Sequence, residues 1–209
     1  MTGQFTRDDL AVDPLDLADL LLGAELESVT PEGVVRARLV EVEAYRGPDD
    51  PASHSYRGRT ARNDVMWGPA GHLYVYFVYG MHFCANVVGT RDGEPGAVLL
   101  RAGEVVEGAE LARTRRPRAR GDGSLARGPA ILTTVLGLRR EHNGVDLTDP
   151  HSTVRLFAGK RVPAEQVRSG PRVGVAAAMD VPWRFWIDGS PAVSTYRRGG
   201  KAARARSGR

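Results

Sequence analysis

The chain has 209 residues, of which 42% are apolar, with a net charge of +4, one cysteine and five histidines. That length suits a single domain with a sizeable core, and no apolar run is long enough to span a bilayer. The lone Cys84 excludes an internal disulfide and a cysteine-rich zinc site.

The opening MTGQFTRDDLAVD is polar and acidic and does not read as a signal peptide. Together with the unpaired cysteine, it points to a reducing, cytoplasmic setting with no membrane partner. Charge is unevenly spread. Residues 8–27 carry seven acids and no base, whereas the run Arg113 to Arg120 and the tail 197–209 are strongly basic. Basic clusters of this kind suit a phosphate-bearing partner, although charge runs are often only solvated. The two lysines, Lys160 and Lys201, lie outside apolar, aromatic-rich stretches that would depress a lysine pKa, which argues against Schiff-base chemistry.

In chain order, Asp13 and Pro14 form an N-cap and first-turn pair for a helix from Pro14 to Leu26, ending near Gly23. Residues 33–45 alternate as a strand. Residues 46–72, rich in Gly, Pro, Asp, Ser and Arg, form a long loop, and long loops in compact domains tend to be functional. LYVYFVYGMHFCANVV then reads as strand 73–79, a bend at Gly80, and strand 82–88. Period-two alternation puts Tyr74 and Tyr76 on one face, with Val75 and Phe77 on the other. The bend pushes Tyr79 and Met81 outward, which is unusual on a soluble surface and suits entry into something apolar and stacked.

After a turn at 89–96 come a short strand, Ala97 to Arg101, and a helix over Glu104 to Arg115. A mobile basic loop spans 116–124. Gly128-Pro129 opens a helix running to about Leu138. Residues 139–152 are turn-rich, and strands follow at Thr153 to Phe157, Pro171 to Val175 and Phe185 to Ile187. The tail 197–209 lacks apolar content and is expected to be disordered without a partner, which leaves residues 1–196 as the domain. Hairpin signals outnumber βαβ spacing, so the expected fold is mixed α/β (α+β): one compact domain around a largely antiparallel curved sheet, with a protruding hairpin and flanking helices.

Glu41 and Glu43 lie on one strand with Tyr45, His54 and several arginines close by, the composition of a pocket with chemistry in it. Under perfect alternation the two carboxylates share a face, so each rivals the other for a catalytic role. No phosphate-binding glycine loop, HExxH, nucleophile elbow or zinc-deaminase pattern is present, and neither a metal nor another cofactor is expected.

Two long segments, VEVEAYRGPDDPASHS and RTARNDVMWGPAGHLYVYFVYGMHFCANVV, resemble the alkyladenine (3-methyladenine) DNA glycosylase family. EPGAVLLRAGEVVEG, ARGPAILTTVLGL and GPRVGVAAAMDVPWRFWIDGSPAVS extend the likeness over about residues 14–194. The resemblance implies a monomeric, metal-free enzyme that enters the minor groove of duplex DNA with a hairpin. It would extrude a damaged purine and cut its N-glycosidic bond with water, leaving an abasic site.

Carried over, Glu43 is the catalytic carboxylate and Arg101 helps it hold the water. Tyr45, His54 and Tyr76 form the base slot, and Asn86 sits against the base edge. Tyr79 fills the gap in the duplex, with Met81 beside it as a second wedge. His82 stands where relatives can carry another aromatic, and 113–127 is the poorest match. 3-Methyladenine, 7-methylguanine, hypoxanthine and ethenoadenine all fit this chemistry. The competing readings are a non-catalytic duplex-binding module and an enzyme of RNA or free nucleosides.

Overall fold

The computed structural model describes residues 3–78 and 80–200. Its centre is a thirteen-residue strand, β2 (Gly33–Tyr45). One edge of β2 is shared. Its first half pairs with β1 (Glu25–Thr30), and Glu41 to Glu43 pair with β9 (Arg184–Ile187). Along the other edge runs β5 (Ala97–Glu107), which pairs in turn with β4 (His82–Val88), and β4 pairs with β3 (Leu73–Val78). The two-residue β6 (Ala126–Arg127) joins β5, β7 (Val154–Phe157) joins β1, and β8 (Val167–Gly170) joins β9. Every pairing in this open nine-stranded sheet is antiparallel.

Among the described residues four α-helices complete the single mixed α/β domain. Those before the sheet are α1 (Arg7–Leu10) and α2 (Pro14–Leu21). Asp13 caps α2 by accepting from the Leu15 N–H at 2.9 Å, and Leu17, Ala18 and Leu21 are its buried face. The helix α3 (Ala109–Arg115) follows β5, and α4 (Pro129–Leu136) packs on β4 and β5. One apolar cluster joins α2, α4 and the inner residues of β1, β2, β4, β5 and β7. Among the described residues no helix is long and apolar enough to cross a membrane.

Several element boundaries differ from expectation. The helix expected from Pro14 to Leu26 is α2 and stops at Leu21, and Glu25 and Leu26 belong to β1. Between them Gly23 has φ +84°, and a Cβ there would lie 2.6 Å from the Lys160 carbonyl, so the chain turns sharply at that point. The strand opened at Ala97 continues to Glu107, so the expected helix from Glu104 exists only as α3. Gly108 makes the switch, at φ +73° and so close to Val34 that no side chain fits. Pro171 to Val175 is irregular, and the strand in that region is β8.

The β3–β4 hairpin lies at the sheet edge and ends in an exposed tip, where Phe77 is 40% and Met81 70% exposed. Tyr79, and residues 201–209 of the basic tail, lie outside the described residues. Of the remaining tail, the Arg197 carbonyl accepts from the Gly174 N–H at 3.0 Å, and Arg198 lies 3.1 Å from Asp180.

Candidate active site

The sheet register assembles the site. Tyr74 stands opposite Asn86, Asn86 opposite Leu99, and Leu99 opposite Glu43, in one row across β3, β4, β5 and β2. Residues directly opposite in a sheet share a face, and so do residues two along. Tyr76 and Cys84, the next such pair, therefore join the same face. A cavity of about 500 Å³ lies over it, walled also by Tyr45, His54, Arg62, Arg101 and Val173 to Val175. Pro129 and Ala130 at the start of α4 close one side.

The aromatic wall is ordered by its own contacts. Tyr74 and Tyr76 stack with centroids 5.4 Å apart, and His54 meets Tyr76 edge-on at 4.6 Å. The His54 Nδ1 lies 3.0 Å from the Tyr74 hydroxyl, and Asn63 holds the histidine's own carbonyl at 2.9 Å. Burial, reinforced by the nearby Arg62 charge, pushes the His54 pKa down, so the imidazole stays neutral at pH 7. Arg62 itself lies over Tyr76, 5.7 Å from the ring centre. The Asn86 Nδ2 donates to the Tyr74 carbonyl at 3.1 Å, which fixes the amide in the cavity wall.

Glu43 is fully buried one layer behind the cavity surface, screened by Tyr45, Arg101 and Val173. Its Oε1 accepts from the Val173 N–H at 2.7 Å and lies 3.2 Å from an Arg101 nitrogen. Its Oε2 accepts from the Tyr45 hydroxyl at 2.9 Å. Burial, and then the Glu43 charge, push the Tyr45 pKa well up, so the phenol is a donor at neutral pH. Burial likewise raises the Tyr76 hydroxyl well above its ordinary value and the Cys84 thiol to about 11.

Glu41 accepts from more donors than Glu43. β2 carries irregularities between Leu39 and Val42 where it meets β5, and the carboxylate is enclosed by donors. Arg101 Nε lies 2.8 Å away, Arg184 Nε 2.7 Å, the Ser194 N–H 2.6 Å and its hydroxyl 2.8 Å. Burial pushes this carboxyl up, but Arg101, the Ser194 N–H and Arg184 outweigh it and hold the pKa below its ordinary value. Glu41 thus anchors the guanidinium that reaches Glu43.

Three features of the site carry no sequence signal. Arg172 is fully buried, bonded to both oxygens of the equally buried Asp50 and to the Ala44 carbonyl. Its guanidinium lies 4.7 Å from the Tyr45 ring centre and 5.1 Å from that of Trp183. The neighbouring Val173 N–H serves Glu43, and Arg184 serves Glu41. Tyr74 and Cys84, by contrast, follow from strand alternation. His82 lines the cavity mouth, and Met81 is at the hairpin tip.

A carboxylate with an arginine behind an aromatic cavity is suited to holding a flat ring while charge develops on an attached carbon. Residues 8–191 match the family model described as methylpurine-DNA glycosylase. A Streptomyces avermitilis protein named "Putative 3-methyladenine DNA glycosylase" is 56% identical over 92% of this chain and 91% of its own length. A Nocardia farcinica protein of the same name is 54% identical, over 93% and 92%. A Mycobacterium tuberculosis protein, again so named, is 51% identical, over 93% and 95%. With this match the protein stands among the DNA repair glycosylases, hydrolases that act on DNA. The chain belongs to the methylpurine-DNA glycosylase family.

Proposed function

We propose that this glycosylase extrudes alkylated or deaminated purines of the 3-methyladenine type from duplex DNA and hydrolyses their N-glycosidic bond, leaving an abasic site. The observation that carries the reading is the placement of Glu43, held by the Tyr45 hydroxyl, the Val173 N–H and Arg101 immediately behind an aromatic cavity. The cavity falls within the roughly 300–1,000 Å³ usual for small-ligand sites.

Extrusion costs a few kcal/mol, less for a damaged base. Stacking on Tyr45, His54 and Tyr76 returns about 1–3 kcal/mol per base. A purine alkylated at N3 or N7 is cationic, and electron-rich tyrosine faces add about 0.5–2 kcal/mol for the charge. A neutral His54 does not oppose it.

As the C1′–N bond breaks, positive charge builds on the sugar and the electron pair leaves with the base. Glu43 stabilises that charge and takes a proton from a water held with Arg101. The remaining hydroxide bonds to C1′. A cationic base departs neutral and needs no general acid. Asn86 meets the base edge. Tyr79 and Met81 wedge the duplex from the minor groove, and the protein works as a monomer in the cytoplasm without metal or other cofactor.

The test is Glu43→Gln on methylated duplex. Release of 3-methyladenine should vanish while affinity for a duplex carrying an abasic-site analogue persists. Release at the unsubstituted rate would remove Glu43 from the mechanism.

A further inference from the structure

Arg116, Arg118 and Arg120 of the basic run at 113–120 do not line the base cavity. The structure divides that run. Arg113 pairs with Asp122 at 2.7 Å and Arg115 with Glu32 at 2.6 Å. Arg116, Arg118 and Arg120 have no carboxylate partner among the described residues. A second cavity, of about 570 Å³, opens beside them, against Pro191, with Arg127 on its wall. The sole acid lining it is Asp122, already engaged by Arg113. The Arg116 Nε–H is shut away from solvent without an acceptor among the described residues. Arg127 is braced by donating to the Pro191 carbonyl.

Four arginines line one concavity with a single carboxylate, Asp122, which Arg113 already engages, so positive charge is in excess there. Guanidinium is planar, always charged and matched to phosphate oxygens in a bidentate fashion. The location is equally informative. Arg127 stands opposite Ala102 on β5, beside Arg101, while Pro129 and Ala130, just beyond Arg127, wall the base cavity. The two concavities therefore flank one short segment of chain.

We propose that the Arg116–Arg118–Arg120–Arg127 pocket is a phosphodiester-binding site that grips the DNA backbone close to the extruded nucleotide. This rests on the reading of the base cavity given above. The pocket holds the strand by charge and carries no base recognition. It fixes the register of the duplex relative to Glu43.

The experiment measures binding of the full chain to a duplex with one abasic-site analogue, as salt is varied and as single phosphodiesters near that site are replaced by neutral methylphosphonates. For the unsubstituted protein, one or two replacements should weaken binding. In the triple variant Arg116→Gln, Arg118→Gln, Arg120→Gln those positions should become silent. The slope of log affinity against log salt should also become shallower by about 1–2, at about 0.9 for each phosphate no longer neutralised. Ser124→Glu, which adds a carboxylate to the pocket without removing an arginine, should silence the same positions.

An unchanged slope with unchanged methylphosphonate sensitivity overturns the proposal. So does displacement by inorganic phosphate at constant ionic strength with no sensitive position, which would make this a free-anion site. Base release is assayed separately. Its absence beside intact methylphosphonate effects would sink the excision reading and leave the pocket standing.

Discussion

Glu41 and Glu43, two residues apart on β2, grip different nitrogens of a single guanidinium: Arg101 Nε is 2.8 Å from Glu41 and one of its terminal nitrogens 3.2 Å from Glu43. Both carboxylates are fully buried, Glu41 among Arg184 and Ser194 and Glu43 behind the cavity wall, so the arginine is a link between the sheet and the site. Two carboxylates this close would repel, and the shared cation resolves the repulsion.

Arg101→Lys keeps the charge and loses the fork. A lysine cannot serve Glu41, Glu43 and Ser194 at once. Base release should fall by about 10-fold or more, equivalent to about 1.4 kcal/mol of transition-state stabilisation, with little change in duplex affinity. Single-turnover release and equilibrium binding, measured side by side, check this. An equal loss in both would show that Arg101 acts through binding.

Asp50→Asn leaves the Arg172 charge buried without its counter-ion. Breaking a buried pair in this way costs about 3–5 kcal/mol, and thermal unfolding should show a large fall in Tm. Because Arg172 also backs Tyr45, the variant should bind an abasic-site duplex better than it releases base.

Acid stability should be set partly by Glu41. Its folded pKa lies below its unfolded value of about 4.5, so its contribution is present above that pH and is lost as pH falls through the depressed value. Glu27, where burial is outweighed by Arg36 and Arg155, adds in the same direction. Tm should decline steeply below pH 4.5, and Glu41→Gln should flatten the decline while lowering Tm at pH 7.

Excision of a cationic purine should respond to His54. Its folded pKa is depressed below 6.5, so the neutral ring persists at that pH and the rate should fall only on further acidification. Burial is the main cause and Arg62 the second, so Arg62→Gln should move the acid limb toward 6.5. A pH–rate profile that stays put in the variant would exclude this coupling.

Much of the site was legible because strand alternation is local. Tyr74 and Tyr76 on one face, the bend after them and the pairing with the Asn86 segment follow from period two, and the cavity wall is built on that row. The likeness to a known family supplied Glu43 and Arg101. What escaped was long-range. Arg172 finds Asp50 across 122 residues, and Arg184 finds Glu41 across 143. Neither side chain advertises a buried partner, since arginine in a polar stretch reads as surface. One misplaced boundary had a local signal: the β-branched Val105 and Val106 favour a strand, and Val105 pairs with Ala37.

The Cys84 thiol, set in the cavity wall and raised to about 11, has a chemical consequence. Burial, the main cause, keeps the sulfur protonated at pH 7, and the thiolate is the reactive form. Methylating agents that damage the genome attack sulfur anions readily, yet this one is kept dormant. At neutral pH this wall of the cavity therefore presents a thiol and not an anion.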